Sequence, residues 1–150
     1  YMKRFTIFLL TAVMILTLAA CGNSGNGSGN LANGNVVGEA AAGPVYKVDV
    51  KELDPDTYPA DYPLIAFGDF ESAFKKLSSG IYEGTLDNYQ DVVDIFGVDG
   101  AYYENCDMDY SGELYKYYGW YADNGVSVLV TFKADGNNLK CYAYTGNGIN

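Results

Sequence analysis

The segment DMDYSGE, residues 107–113, sets side-chain oxygens at Asp107, Asp109 and Ser111 ahead of Gly112. That is the ligand spacing of the first half of an EF-hand calcium loop. The twelfth position of such a loop falls on Tyr118, which has no carboxylate to close the coordination shell. An acidic turn between strands accounts for the segment better, so no metal ligand is assigned. Catalytic chemistry finds less to work with. The chain has no His and no Gly-rich phosphate loop, and its carboxylates fall mostly where helix caps and turns are expected rather than in facing pairs of the glycosidase kind. The expectation is a binding or structural protein that is not an enzyme and uses no cofactor. Two residue types are left to carry function: three Cys and 15 Tyr.

Cys21 closes the run MKRFTIFLLTAVMILTLAAC. Lys3 and Arg4 lead, an apolar stretch from Phe5 to Leu18 follows, and small residues precede the Cys. This is the grammar of an export signal, too short and wrongly flanked for a membrane anchor. Its LAAC ending resembles the bacterial lipobox, in which the Cys becomes the diacylated first residue of the mature chain. Residues 1–20 are therefore expected to be a lipoprotein signal peptide and Cys21 a lipid anchor on the extracellular face of a bacterial cell membrane. Residues 21–43 are rich in Gly, Asn, Ser and Ala, with almost no large apolar side chain. They read as a flexible tether with a root-mean-square reach of roughly 25 Å. Loss of residues 1–20 removes two basic residues and no acidic one, taking the formal charge from −10 to −12. Such a chain is repelled by nucleic acid and anionic surfaces, so nucleic-acid partners are excluded and the charge is read as solubility.

The elements that must position the tyrosines follow. Residues 44–68 carry Pro55, Pro59 and Pro63, which forbid a helix and make an extended leader, parts of which (45–50 or 64–67) pack on the domain. From Asp69 the pattern is helical. Asp69 is a candidate cap, Phe70, Ala73, Phe74 and Leu77 share a face, and Gly80 lies past the end. A second helix starts at Asn88 and stops at Gly97, with Tyr89, Val92, Val93, Ile95 and Phe96 apolar. Strands are predicted over 101–108, 113–121, 126–133 and 139–145, separated by YSG, DNG and DGNN turns. The predicted fold class is α+β, with two short helices packed on a four-stranded antiparallel meander over residues 69–150. In such a meander Cys106 and Cys141 lie on the first and fourth strands, roughly 14 Å apart, so two unpaired thiols are favoured over a bridge.

Alternation decides which tyrosines are free. Val126, Val128, Val130 and Phe132 share one face, and a three-residue DNG turn aligns Tyr118 and Trp120 with them. The predicted core joins Trp120, Val128, Val130 and Phe132 to Phe74, Val92, Ile95 and Phe96. Tyr115, Tyr117 and Tyr121 then point away, as do Tyr142 and Tyr144 if Leu139, Cys141 and Ala143 go inward. A two-residue NG turn would instead send Tyr118 and Trp120 outward. The outward rings either pack on each other and under the leader, or form a recognition surface.

The run NYQDVVDIFG, the strand ending in YYGWYADNG, then VSVLVTF, a DG turn and LKCYAYTGNGI resemble the repeat unit of the β-lactamase inhibitory protein (BLIP-like) fold. In that family a helix reading roughly TYEEVVxLLG precedes a YTW strand and a SVTVTF strand. The similarity covers about residues 69–149. It implies an α-α-β-β-β-β unit of the kind carried by secreted lipoproteins of Gram-positive bacteria, binding a partner with its sheet face. Three features depart from the pattern: a longer segment between the helices, Asn at position 88, and an acidic first strand. The inhibitors also use two units where one is present here, so β-lactamase inhibition itself is not implied. The expected function is a membrane-anchored lipoprotein recognising an unknown protein partner through Tyr115, Tyr117, Tyr121, Tyr142 and Tyr144. The alternatives are a surface module that stacks the same rings on glycan or peptidoglycan and a structural envelope component.

Overall fold

A computed structural model describes residues 44–150. The signal peptide over 1–20, the lipid anchor at Cys21 and the tether over 21–43 lie outside the described residues.

Helix α1 spans Phe67–Glu83 and buries Phe70, Ala73, Phe74 and Leu77 at the anticipated spacing. Both of its ends differ from the sequence reading. Ala66 precedes it and offers no capping side chain, while Asp69 sits inside the first turn. The cap comes from elsewhere: the Phe67 amide donates to Asp123 Oδ1 at 3.1 Å, from 56 residues along the chain. Gly80 does not end the helix. It makes room, because a Cβ there would stand 2.4 Å from Leu86 Cγ in the segment leading to the next helix. Gly84, with φ 67°, is the terminator. Helix α2, Tyr89–Phe96, follows the local rules. Asn88 accepts from the Gln90 and Asp91 amides, the Asp91 carboxylate accepts from the Asn88 amide, and Gly97 closes the helix in the left-handed region.

Strands β1 (Tyr46–Lys47), β2 (Ala101–Tyr102), β3 (Met108–Tyr110), β4 (Glu113–Tyr121), β5 (Ser127–Asp135) and β6 (Asn138–Asn147) make a six-stranded sheet. The path is β1-β2-β4-β5-β6, with β3 also pairing β4. The architecture is α+β as expected, but the sheet exceeds the four-stranded meander in two ways. The strand predicted over 101–108 is broken by a 3₁₀ turn at Glu104–Cys106, so β2 and β3 line successive stretches of the same β4 edge. The leader supplies β1, which pairs in parallel with β2. Ile65 then bridges to Ala122, and its carbonyl accepts from the Asp123 amide at 2.9 Å. Residues 44–66 thus form a strap fixed at both ends to the sheet.

The β4–β5 turn is the three-residue form, with Gly125 at φ 86° and Ala122 N donating to Val126 O. It sets Trp120 opposite Val128 and Tyr118 opposite Val130. Trp120, Val128, Val130 and Phe132 are fully buried against Phe70, Phe74, Val92 and Phe96, with Ile95 at the margin. The Trp120 indole donates to Val98 O at 2.9 Å. Its ring lies so close to Gly100 that a Cβ there would be 2.7 Å away.

On β6 a register shift opposite Thr131 and Phe132 corrects the alternation. Cys141 pairs with Phe132 and Tyr144 with Val130, so both face the helices, and Tyr142 is the extra residue between them. Leu139 and Cys141 go inward as expected, but Ala143 and Tyr144 exchange sides. Tyr144 packs edge-on against Phe74 at 5.7 Å, and its hydroxyl lies 2.7 Å from Ser78 Oγ. It is not part of the outer face.

Candidate binding face

The side of the sheet turned away from the helices carries Tyr115, Tyr117, Gly119 and Tyr121 from β4 and Ser127, Leu129, Thr131 and Lys133 from β5. The strap divides it into a sealed half and an open half.

In the sealed half Tyr121 is 1 % exposed. Its ring folds back along the strand over Gly119, where a Cβ would stand 2.2 Å from the Tyr121 hydroxyl. Tyr58 and Tyr62 of the strap pack on it at 4.9 and 5.1 Å, the second edge-on at 84°. Sheet hydroxyls bind strap carbonyls. Tyr103 donates to Asp54 O at 2.6 Å or Thr57 O at 3.0 Å, Tyr121 Oη lies 2.6 Å from Tyr103 Oη, and Ser127 Oγ donates to Pro55 O at 2.8 Å. Burial pushes the Tyr103 hydroxyl up to about 12 and raises Tyr121 further, with the Tyr103 contact adding to the latter. Val48, Tyr62, Ala101, Tyr103 and Tyr121 therefore form a second core, and Tyr121 is not available to a partner.

Beyond Tyr117 the strap ends and no other described residues cross the face. Met108, Tyr110, Tyr115, Tyr117, Thr131, Tyr142 and Ala143 line a trough of about 350 Å³ that crosses the sheet from β3 to β6. Its walls are exposed: Met108 by 48 %, Tyr110 by 68 % and Tyr142 by 59 %. Its floor is not, since Tyr115 is buried beneath Tyr142, the rings meeting edge-on at 5.0 Å and 64°. The Tyr115 hydroxyl donates to Glu113 Oε2 at 2.8 Å, and that carboxylate holds it up to about 12. Lys133 pairs with the same carboxylate.

Of the five tyrosines expected to point outward, the fold gathers Tyr115, Tyr117 and Tyr142 and excludes Tyr121 and Tyr144. It adds Met108 and Tyr110, which the sequence reading missed. The YSG turn carried the signal. Ser111 and Gly112 both have positive φ, a two-residue hairpin that pairs Tyr110 with Glu113 and Met108 with Tyr115, and hence puts both on the face of Tyr115.

The acids of the turn segment are engaged within the fold. Asp107 Oδ2 accepts from Lys116 Nζ at 2.7 Å and from the Tyr102 hydroxyl at 2.6 Å, and Asp109 accepts from the Gly112 amide. Tyr118, at the would-be twelfth ligand position, is buried in the core. Among the described residues no three Cys, Asp or Glu side chains converge as a metal site would require. Cys106 and Cys141 are unpaired, on opposite sides of the sheet. Burial lifts the Cys141 thiol to about 11 and raises that of Cys106 as well, which disfavours the reactive thiolate. Among the described residues no helix is long and apolar enough to cross a membrane. Comparison with family models, with curated proteins and with solved structures yields no match to this chain.

Proposed function

We propose that this protein is a lipoprotein, held to the outer face of a bacterial membrane through Cys21, whose single BLIP-like domain binds a protein partner with the open half of its tyrosine face. One observation carries the binding role: the strap covers one half of the face, and among the described residues none covers the other. Met108, Tyr110 and Tyr142 remain exposed there around an aromatic floor. Tyrosine, with its polar tip, is enriched at interface hot spots and Met at interfaces generally, and exposed clusters of such side chains mark interaction sites. The binding residues are Tyr115, Tyr117 and Tyr142 from the sequence reading, joined by Met108 and Tyr110. A glycan platform stacks sugars on ring faces alone, whereas the exposed Met108 beside Tyr110 and Tyr142 is the composition of a protein contact.

The test is capture from envelope extract with the wild-type chain and with the Tyr110→Ala/Tyr142→Ala double variant, run beside a glycan array. A protein retained by the first and lost by the second is the expected outcome. Binding to glycans alone, or capture indifferent to both tyrosines, would overturn it. Intact mass of the native protein tests the anchor separately and should show an acylated N-terminal Cys21.

A further inference from the structure

The strap is a ligand already bound to this face, and it shows what kind of chain the face holds. Residues 51–64 are not a strand. They make two turns, closed by Thr57 N to Asp54 O at 3.1 Å and by Tyr62 N to Pro59 O at 2.9 Å. Instead of a β-ladder, hydroxyls on the sheet take the carbonyls of Asp54, Pro55 and Thr57, and two strap rings pack about Tyr121. Asn147 at the β6 edge closes the crossing by donating to Asp56 at 2.9 Å. The sealed track thus crosses the sheet from β2 to β6.

The open trough is the next track along. It crosses from β3 to β6, beginning where the strap stops, and Tyr117 belongs to both: it packs against the sealed cluster and lines the trough. It repeats the chemistry as well. Tyr110, Thr131 and Tyr142 bring hydroxyls to it, while the place that Tyr62 of the strap takes on Tyr121 is filled here by the sheet's own Tyr142 on Tyr115. Resting on the reading of this surface as protein-binding, we infer that the trough takes a turn-forming loop of the partner, bound through its backbone carbonyls as the strap is. Three strand steps span about 14 Å, which at least about four residues are needed to cross. The acidic chain as a whole, −12 without residues 1–20, repels a loop as acidic as the strap itself.

The probe is a fluorescent peptide with the sequence of residues 53–63 in which Asp54, Asp56 and Asp61 are replaced by Asn, titrated with the purified full chain and followed by anisotropy. An alanine-based helical peptide with two tyrosines is the control. Saturable binding of the first and none of the second is expected. The Tyr110→Ala/Tyr142→Ala variant should weaken it by about tenfold or more, and Thr131→Arg, which fills the trough from its floor, should do the same. Ser127→Ala loosens only the strap and should leave the affinity within about twofold. Absence of binding at millimolar peptide, indifference to the trough variants, or tighter binding to Ser127→Ala would overturn the inference, the last because the peptide would then be replacing the strap. A captured partner that depends on Tyr110 and Tyr142 yet is not displaced by the peptide would sink the loop chemistry and keep the binding face. One that ignores both tyrosines would sink the face.

Discussion

Tyr121 and Tyr117 stand two residues apart on the same strand and the same side of the sheet, yet they belong to different parts of the molecule. Around Tyr121 the strap brings Tyr58, Tyr62 and three backbone carbonyls, and the ring becomes as buried as the Trp on the opposite side. Past Tyr117 no segment of the described residues covers the face, and rings of the same type line a trough open to solvent. A tyrosine pointing off a sheet is thus core or surface according to what crosses it. The sealed half also shows how such a face is filled: hydroxyls meet carbonyls, and rings meet edge to face.

The largest effect that would test this division is at its buried end. Tyr121→Ala removes a large side chain packed against two strap rings and should cost about 3 to 5 kcal/mol in denaturant titration. A loss below about 1 kcal/mol would mean that the strap does not stay seated in solution. Gly119→Ala is a subtler probe, because its Cβ must displace the Tyr121 side chain, whose hydroxyl would lie 2.2 Å away. The expected cost is about 1 to 3 kcal/mol, and it should shrink when Tyr121 is already Ala, since the clash disappears with the ring. Additive losses in that double variant would place the ring elsewhere. At the open end Tyr142→Ala should change stability by no more than about 0.5 kcal/mol. A larger destabilisation would make Tyr142 a structural lid on Tyr115, and the contrast between the two halves would weaken.

Much of this was legible along the chain because the causes are local. Asn88 and Gly97 bound α2 through hydrogen bonds and a left-handed φ that involve only neighbouring residues. The alternation of Val128, Val130 and Phe132, with Trp120 and Tyr118 opposite once DNG makes a three-residue turn, identifies the helix-covered face. Tyr115, Tyr117 and Tyr142 followed from the same periodicity. The failures have non-local causes. Asp123 caps α1 from across the fold, and Leu86 turns Gly80 from a helix stop into a packing notch.

Composition, the helical and strand periods, the turn types and the acidic charge are properties of short stretches, so sequence alone determined the α+β class, the helix-covered core and the presence of aromatic rings on both sides of the sheet. Which of those rings are free was decided only in three dimensions. A single extra residue in β6 reverses every side chain beyond it, which moved Tyr144 to the helices. Strap carbonyls more than 60 residues away from Tyr121 in the chain, as Thr57 O is, complete its burial, and no local pattern encodes a contact at that separation.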